Sequence, residues 1–402
     1  MSKQLLLGKD CIIALVGPIE TASFLEILHL PDDQSYPKGL GGSPVNLMAL
    51  ELHKRGYNLL LCSVDPSVED EITLQGERLK IRFGACRKRP ARDFFAKESA
   101  WMTKVLQQER PDIIHAHWTY EFALAAEASG LPHLITAHDA PINILKLNFI
   151  PYRIARTLMA YVAVCKAKHL SAVSPYVAGH LKKYLFFRKP IAVIPNGMPD
   201  AVFNRSKAQK KENMPLSFAT ILVGWSGYKN GEAAIEAFNI FHKKYPHCRL
   251  MMFGAGHGAG EAAELWAKNR GINQGIEFVG HIAYEALIER LSNEVDILLH
   301  PALEEAQPMS LIEAMAMGIP VIAGKNSGGV PWTLDNGNAG ILIDVSSPEQ
   351  IAGAMLELAT DAGKYTQLKL AGLEQAKNKF HIKVVTDAYL NVYRAILTGS
   401  EL

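Results

Sequence analysis

The chain has 402 residues, of which 49% are hydrophobic and 20% are charged, the balance of an ordinary soluble globular protein. This length exceeds what a single hydrophobic core usually supports, so two domains are expected. Lys and Arg total 42 against 40 Asp and Glu, and the resulting net charge of +2 gives no indication of a nucleic-acid-binding protein.

The N-terminal segment MSKQLLLGKDCIIALVGP contains an apolar stretch that Lys9 and Asp10 interrupt. No signal-peptide pattern and no uncharged run of membrane-spanning length follows it. The five cysteines are scattered without a Cys-x-x-Cys pair, which favours reduced buried thiols over a disulfide framework. We therefore predict a cytoplasmic protein, and a position at the inner face of the cytoplasmic membrane stays open.

Short apolar runs alternate with segments of helical period along the whole chain. In the first half the predicted strands are CIIALVG, NLLLCSV, PDIIHAH, HLITAH, HLSAVS and PIAVIP. In the second half they are FATILVG, RLMMFG, IEFVG, DILLHP, PVIAG and GILID. Their continuous hydrophobicity is typical of strands covered on both faces. The amphipathic segments between them include SPVNLMALELHKRG, GEAAIEAFNIFHKKYP, YEALIERLSN and SPEQIAGAMLELATD.

This alternation predicts parallel sheets with helices on both faces. The polar segment at residues 196–217 lacks apolar periodicity and separates two halves of similar length. Two doubly wound domains joined near residue 200 are therefore predicted. In such sheets ligands bind beyond the carboxyl ends of the strands, so residues at these ends are the candidates for function.

Glycine loops follow several of the predicted strands. In KGLGGSPVNL, Gly41 and Gly42 directly precede a helix, where glycine allows close approach of the backbone to a phosphate, although tight turns also need glycine. Gly280 ends the strand IEFVG. The loop GAGHGAG loosely matches the dinucleotide-binding pattern, but no acidic residue ends a following strand about twenty positions on. A nicotinamide site is therefore not predicted.

The histidines of HAH, His115 and His117, lie two apart on a predicted strand and share a face with one another. Together with His138 they suggest a metal site, but no carboxylate or cysteine at ligand spacing completes the set. We predict a polar cleft wall instead, and no metal. The chain also has no Asp-x-Asp, no Gly-x-Ser-x-Gly and no P-loop lysine motif.

The segment EEAQPMSLIEAMAMG, residues 304–318, contains Glu305 and Glu313 with seven residues between them. Ser310-x-x-Glu313 fits a capping box, in which the hydroxyl caps the helix and the glutamate reaches back to it. The backbone amides of Met309, Ser310 and Leu311 at the same helix start would also attract an anion. Two carboxylates beside such amides suit a ligand with phosphates on one side and hydroxyls on the other.

Three further segments contain basic residues at positions of interest. VGWSGYKNG places Gly224, Trp225 and Lys229 between a strand and a helix, where a lysine either is solvated or neutralises a leaving pyrophosphate. Residues 78–95 and 182–190, RLKIRFGACRKRPARDFF and KKYLFFRKP, combine basic and bulky apolar residues. A solvated face is the commoner meaning of such runs, and a surface that contacts an anionic membrane is the alternative.

Taken together, these motifs resemble the retaining, nucleotide-sugar-dependent glycosyltransferases of family 4, also called group 1, which have the GT-B fold. GGSPVNLMALELHKRGY is similar to the family's N-terminal Gly-Gly loop and first helix, and DIIHAHW, LITAHD, LSAVSPYVAGHL and IAVIPNGM follow in the expected order. EEAQPMSLIEAMAMGIPVIAGKNSGG matches the specific Glu-x7-Glu signature. The resemblance covers nearly all of the chain.

The resemblance implies an α/β GT-B fold, with two doubly wound Rossmann-like domains facing across a cleft. The expected N-terminal acceptor-side domain comprises residues 1–200, and the expected nucleotide-sugar-binding domain comprises residues 201–380. Residues 381–402 are expected to form a helix that crosses back to the N-terminal domain.

The family also implies roles for matching residues. Glu313 would hold the ribose hydroxyls of the donor, and Glu305 would contact its sugar beside the scissile bond. Lys229 and the amides around Met309, Ser310 and Leu311 would hold the diphosphate. His138 would meet the transferred sugar. The remaining donor-binding positions would be Gly41, Gly42, Gly224, Trp225 and Gly280. One departure is Gly224-Trp225, because the family commonly has Gly-Arg there and thus one more cation.

The implied reaction transfers a sugar from a nucleotide diphosphate sugar to a hydroxyl, without metal or other cofactor and with retention. The expected partners are the nucleotide sugar and a sugar or lipid-linked glycan acceptor in cell-surface polysaccharide assembly, and no nucleic acid. Alternatives are a sugar-nucleotide epimerase or hydrolase of GT-B fold, transfer to a soluble small acceptor, and a two-domain small-ligand binding protein. The donor's base and sugar, the acceptor, the linkage and the oligomeric state are not predicted.

Overall fold

The computed structural model describes residues 7–31, 36–205, 216–225 and 227–400. These residues form two compact units, the first within 1–197 and 382–402 and the second within 198–381. Residues 1–6 of the N-terminal segment, residues 206–215 of the predicted linker and Ser226 of VGWSGYKNG lie outside the described residues.

The described part of the first unit contains an eight-stranded sheet in the order β3-β4-β2-β1-β5-β6-β7-β8. Its strands are β1 (Ile12–Val16), β2 (Asn58–Asp65), β3 (Glu71–Gly76), β4 (Leu79–Ala85), β5 (Ile113–His117), β6 (His133–Ala137), β7 (Leu170–Ala172) and β8 (Ile191–Val193). All neighbouring strands are parallel except the pair β3 and β4, which is antiparallel. The central strands β1, β5 and β6 are buried along almost their whole length, as in a sheet covered on both faces.

The antiparallel hairpin at one edge corrects the interpretation of residues 78–85 as part of a basic surface stretch. These residues form β4, where Leu79, Ile81 and Phe83 are buried and alternate with Lys80 and Arg82. Alternation of this kind is typical of a strand with one face towards the core. Lys80 and Arg82 are therefore the residues on the face of β4 that points away from the core.

Helices connect the strands of the first unit. They are α1 (Leu25–Leu28), α2 (Ser43–Lys54), α3 (Ala96–Glu109), α4 (Glu121–Ser129), α5 (Pro141–Leu147), α6 (Pro151–Lys166) and α7 (Pro175–Tyr184). Short 3-10 helices occupy Thr21–Phe24 and Pro90–Asp93.

The second unit contains a six-stranded sheet in the order β11-β10-β9-β12-β13-β14, with every neighbouring pair parallel. The strands are β9 (Ser217–Ile221), β10 (Arg249–Phe253), β11 (Ile276–Gly280), β12 (Ile297–His300), β13 (Val321–Gly324) and β14 (Ile341–Ile343). The helices are α8 (Asp200–Phe203), α9 (Gly231–His242), α10 (Ala262–Asn269), α11 (Tyr284–Glu294), α12 (Met309–Ala316), α13 (Val330–Thr333), α14 (Pro348–Thr360) and α15 (Ala362–Gln375). Two apolar clusters, one on each side of this sheet, form its core.

After α15 a π-helical turn at Ala376–Phe380 ends the second unit, and the chain returns to the first unit as α16 (Ile382–Thr398). Val385, Tyr389 and Tyr393 of α16 join the core cluster of the first unit that contains α2 and β1. No helix in the described part of the chain is long and apolar enough to cross a membrane.

Candidate active site

Two loops of the second unit bring the predicted residues Lys229 and Glu305 together. Lys229 ends a 3-10 helix at Gly227–Lys229, and Glu305 lies in the loop between β12 and α12. The Lys229 ammonium nitrogen Nζ is 2.5 Å from Oε1 of Glu305. Both side chains are more than four-fifths buried, so their attraction is screened less than that of a surface pair. These two residues, 76 positions apart, therefore form one charged site.

Backbone contacts fix both loops on either side of this pair. The Leu303 amide donates to the Tyr228 carbonyl at 2.8 Å, and the Gly329 amide donates to the Glu305 carbonyl at 2.7 Å. The Asn230 side-chain amide donates to the carbonyls of Pro301 at 3.0 Å and Val345 at 2.7 Å. The pair is therefore held by its supporting backbone as well as by its own charges.

Glu305 is ionised in this environment. Burial alone would raise the pKa of Glu305, but the contacts with His300 and Lys229 outweigh it and lower the pKa to about 2. Nε2 of His300, at the end of β12, lies 3.6 Å from Oε1 of Glu305. The opposite nitrogen of the same ring, Nδ1, lies 3.4 Å from the Ser310 hydroxyl. His300 thus connects the charged pair to the first turn of α12.

The start of α12 differs from the predicted capping box, which is wrong. Pro308 is the N-cap residue and makes no side-chain cap, so Ser310 lies inside the first turn, too late to cap the helix. Its hydroxyl contacts His300 instead. The amides of Met309, Ser310 and Leu311 stand in the first turn, where helix geometry provides no carbonyl partner for them. This helix start therefore presents amide donors beside the Lys229–Glu305 pair.

Glu313 lies one turn further into α12 and is 5% exposed. Its carboxylate accepts a hydrogen bond from the hydroxyl of Tyr284, the first residue of α11. Burial raises the pKa of Glu313 to about 7, although this hydrogen bond acts in the opposite direction. Burial and the neighbouring carboxylate likewise raise the pKa of Tyr284 well above its ordinary value. Glu313 is thus a buried carboxyl group whose charged and neutral forms are both populated near pH 7.

The remaining predicted residues of the second unit lie at the carboxyl ends of β9 and β11. The Gly224 amide donates to the Ala255 carbonyl at 2.9 Å, and the Gly280 carbonyl accepts from the Gly254 amide at 2.8 Å. Trp225 packs its ring 5.4 Å from that of His257 and 5.9 Å from that of Trp266. Trp225 is therefore one wall of an aromatic cluster beside the glycine loops.

In the first unit, Gly41 and Gly42 directly precede α2. Gly42 has a φ of 105°, and a Cβ atom there would lie 2.2 Å from the Pro18 carbonyl oxygen. Only glycine fits this combination of dihedral angle and space. Gly41 also has a positive φ, of 78°, but a Cβ atom there would have no neighbour within 4 Å. The Pro18 carbonyl therefore leaves no space for a side chain at Gly42, whereas space for one exists at Gly41.

The imidazole of His138 is part of a group of rings after β5 and β6. Its Nε2 lies 2.9 Å from Nδ1 of His117, and its ring stacks on Trp118 with the centroids 4.3 Å apart. Burial lowers the pKa of His138 to about 3, so the imidazole is neutral at neutral pH. His117 and His138 line a small pocket of the first unit together with Pro44, Met48, Asn196 and Tyr389.

His115 does not belong to this polar wall, contrary to prediction. Its ring is fully buried between the Tyr393 hydroxyl, 2.7 Å from Nδ1, and the Thr136 hydroxyl, 2.6 Å from Nε2. A residue in such a position supports the packing of α16. Within the described residues no group of three or more His, Cys, Asp or Glu side chains is arranged to hold a metal ion.

Comparison with known protein families decides the class of this chain. The model described as "Glycosyl transferases group 1" matches residues 203–375, and the model described as "Glycosyltransferase Family 4" matches residues 45–201. The two matches together cover most of the chain, one in each unit. The chain belongs to the group 1 glycosyltransferases.

Curated relatives of this glycosyltransferase act on different substrates. The present chain is 25% identical over 309 residues to a D-inositol 3-phosphate glycosyltransferase of Segniliparus rotundus. This match covers 73% of the present chain and 68% of the relative. The chain is 23% identical over 306 residues to the N-acetyl-alpha-D-glucosaminyl L-malate synthase of Bacillus anthracis, covering 74% of this chain and 78% of the relative.

Solved structures confirm the predicted GT-B fold class. A sucrose-phosphate synthase from Thermosynechococcus elongatus has a TM-score of 0.73 at 16% identity, covering 97% of this chain and all of that one. An E. coli trehalose-6-phosphate protein bound with UDP-2-fluoro glucose also has a TM-score of 0.73, at 11% identity, covering 95% of this chain and 99% of that one.

Three residues of this glycosyltransferase's site were missed in the sequence. His300 contacts Glu305, Tyr284 hydrogen-bonds Glu313, and Asn230 anchors the Lys229 loop. His300 had a usable signal, because it is the last residue of a strand in a parallel sheet, where the other candidates were found. Tyr284 had none, since it begins a helix 29 residues before its partner in the sequence.

Proposed function

We propose that this enzyme is a retaining, metal-independent glycosyltransferase that uses a nucleotide diphosphate sugar as donor. The observation that carries the proposal is the Lys229–Glu305 pair beside the first-turn amides of α12, with Glu313 one turn away. A cation and several amide donors suit a diphosphate, and two carboxylates suit the hydroxyls on either side of it.

In the proposed complex the diphosphate lies on the amides of Met309, Ser310 and Leu311, with Lys229 as its cation. An ammonium group has three N–H donors, so Lys229 can hold Glu305 and a phosphate oxygen at the same time. Gly224, Trp225 and Gly280 would line the donor at the neighbouring strand ends. The absence of an arginine at position 225 leaves more of the diphosphate charge to Lys229 and the helix amides.

Glu313 would accept hydrogen bonds from the two ribose hydroxyls of the donor. An ionised carboxylate can only accept hydrogen bonds, so the hydrogen bonds that the ribose hydroxyls and the Tyr284 hydroxyl donate would together favour its charged form. Glu305 is ionised already, and we assign it to the hydroxyls of the donor sugar beside the scissile bond. Each carboxylate thus has one role in the donor complex.

During transfer, the bond between the anomeric carbon and the diphosphate oxygen lengthens and the sugar gains oxocarbenium character. Lys229 and the helix amides stabilise the negative charge that develops on the departing diphosphate. The acceptor oxygen attacks from the face that the diphosphate leaves, and its proton passes to a leaving phosphate oxygen. The configuration at the anomeric carbon is retained without a covalent enzyme intermediate.

The first unit would supply His138 and the turn at Gly41 and Gly42. A neutral imidazole can donate one hydrogen bond and accept another, which suits a sugar hydroxyl. The glycine turn would allow the backbone to approach a phosphate. We propose a lipid-linked glycan in cell-surface polysaccharide assembly as acceptor, with the reaction on the cytoplasmic side of the membrane. The names of the two curated relatives favour a small soluble acceptor as the second candidate.

Thermal-shift screening of UDP, GDP and ADP sugars tests the donor assignment, and we expect one nucleotide series to stabilise the protein. Glu313→Gln should lose that stabilisation. Assays with the best donor, run with and without chelator, should give transfer in both, and NMR of the product should show the donor's anomeric configuration. An inverted product would exclude the retaining mechanism, and loss of transfer in chelator would exclude metal independence.

Incubation with donor alone separates transfer from its rivals. We expect little consumption of donor without an acceptor hydroxyl. Rapid epimerisation or hydrolysis would favour the epimerase or hydrolase alternative, and binding without any turnover would favour a binding protein.

A further inference from the structure

Residues 140–199 have a charge composition unlike that of the rest of the chain. This stretch includes α5, α6 and α7 and contains no Asp or Glu, whereas the whole chain has 40 of them. Nine Lys and Arg residues occur in the same stretch of a protein whose net charge is only +2. The positive charge of the protein is therefore concentrated in one part of the first unit.

Helix α6 has an apolar face towards solvent, the reverse of an ordinary surface helix. Ile154, Leu158, Tyr161 and Val162 are all exposed, and Leu158 is 51% exposed. Their spacing of four, three and one residues places them on one side of the helix. Met159, Ala160, Ala163 and Val164 fill the opposite, buried side. Packing against the first unit thus leaves a second apolar stripe uncovered.

This stripe continues into the segment between α5 and α6. In that segment Phe149 is 75% exposed and Ile150 is also exposed, as is Tyr152 in the first turn of α6. We call these exposed residues together the α6 surface: Phe149, Ile150, Tyr152, Ile154, Leu158, Tyr161 and Val162. Contiguous exposed apolar residues on this scale mark an interaction site in a folded protein.

Basic side chains lie on α6 and on α5 and α7, of which α5 contacts both of the others. Lys146 of α5 lies over the ring of Tyr184 at the end of α7, 5.1 Å from its centroid, so these helices form one continuous surface. Lys183 lies at the same distance from that ring. Among the described residues, Arg156 is the only one of the nine basic residues of this stretch that pairs with a carboxylate, that of Glu121. The other eight basic residues form no ion pair with a carboxylate in the described part of the chain.

The segment 78–95 differs in this respect. Lys80 and Arg82 pair with Glu109, and Arg87 pairs with Asp93 and Glu98. Arg78 also pairs with Glu77, so four of the seven basic residues of that segment form ion pairs within the protein, against one of nine in residues 140–199.

We propose that the α6 surface is a docking surface for an anionic lipid bilayer. Its exposed Phe, Leu and Ile side chains would enter the boundary between headgroups and acyl chains, and its tyrosines would lie at the headgroup level. The surrounding lysines and arginines would meet the lipid phosphates. A second copy of the chain fits less well, because symmetric pairing of this face would bring two sets of positive charge together. The proposal does not depend on the identity of the donor or the acceptor.

Sedimentation of the full-length protein with vesicles tests this surface. We expect binding to vesicles of phosphatidylcholine mixed with phosphatidylglycerol, weaker binding to phosphatidylcholine alone, and a decrease with added salt. Lys182→Gln/Lys183→Gln should weaken binding to the mixed vesicles roughly 25-fold, since each lysine at an anionic surface is worth roughly fivefold. Leu158→Ser should weaken it by about tenfold through lost apolar burial.

The second unit offers a matched control for each variant. Lys243 and Lys244 are adjacent exposed lysines followed by a tyrosine, as Lys182 and Lys183 are, and their double Gln variant should bind as the unaltered protein does. Leu370 is 60% exposed on α15, and Leu370→Ser is the control for Leu158→Ser. Because all of these side chains are exposed, the variants should keep the thermal unfolding temperature of the parent protein.

The proposal is overturned if mixed and neutral vesicles bind the protein equally, or if the control variants lose as much binding as the α6 variants. Analytical ultracentrifugation provides an independent test, because it measures the oligomeric state of the protein. A concentration-dependent dimer that Leu158→Ser dissociates would show that a second copy covers this surface, and would refute the lipid assignment.

Discussion

Replacing Glu313 by Gln should stabilise the ligand-free enzyme at neutral pH, although it removes a residue of the proposed donor site. Burial raises the pKa of Glu313 from 4.5 to about 7. An acid with a raised pKa in the folded state disfavours folding once it must ionise. The effect is absent below pH 4.5, grows as pH rises, and is complete above about pH 7. The shift corresponds to about 3 kcal/mol of unfolding free energy.

The same substitution at Glu305 should have the opposite effect. Burial opposes its ionisation, but His300 and Lys229 lower its pKa from 4.5 to about 2. This carboxylate therefore stabilises the folded state above pH 4.5, and that contribution is lost as pH falls through about 2. Its full size is also about 3 kcal/mol. Glu305→Gln would remove it and leave the buried Lys229 ammonium without its counterion.

Differential scanning calorimetry of the full chain without ligand measures both effects. For a unit of this size, about 3 kcal/mol corresponds to a change of roughly 6–12 °C in the unfolding temperature of the second unit. Glu313→Gln should raise that temperature at pH 8 and leave it unchanged near pH 4.5. Glu305→Gln should lower it at pH 8. Equal losses of stability in the two variants would refute the assignment of opposite charge environments to these two glutamates.

Three further predictions concern turnover, the glycine turn and the histidine. Lys229→Ala should lower kcat by about 10²–10³-fold, because it removes a main stabiliser of the leaving diphosphate, and a near-normal rate in a steady-state transfer assay would exclude that role. Gly42→Ala should destabilise the protein by about 1–3 kcal/mol in urea unfolding and Gly41→Ala by about 1, since only the former also meets the Pro18 carbonyl. His138, with a pKa of about 3, should stay neutral throughout the working range, so the pH profile of kcat/KM should show no inflection near 6.5 that disappears in His138→Gln.

Much of the fold was predictable because nearly all strands are parallel and lie in sheets covered on two faces. Such strands are uniformly apolar, and every strand predicted from a uniform run has a counterpart in the structure. The two strands that were missed, β3 and β4, form the antiparallel pair at one edge of the first sheet. In β4 the alternating Lys80 and Arg82 gave the segment a basic composition that concealed its period of two.

For the candidate site, the sequence indicated candidate residues but not the contacts between them. Glu305, Glu313 and Lys229 were selected because each follows a strand at the ligand-binding edge, and the structure brings Lys229 and Glu305 together. The capping box failed because sequence spacing does not fix the first residue of a helix. With Pro308 as the N-cap residue, Ser310 enters the first turn and its hydroxyl is left to His300.

The raised pKa of Glu313 also bears on the binding of the donor. If the ribose hydroxyls donate to this carboxylate, they favour its charged form, and a proton must leave when the donor binds. With a pKa of about 7, about half a proton per site should be released at pH 7 if binding lowers the pKa well below that value. Isothermal titration calorimetry in buffers of different ionisation enthalpy measures this number, and it should fall to zero above pH 8 and in Glu313→Gln if that variant still binds. Binding without proton release at pH 7 would mean that the hydroxyls meet some other group and that Glu313 serves only its own helix.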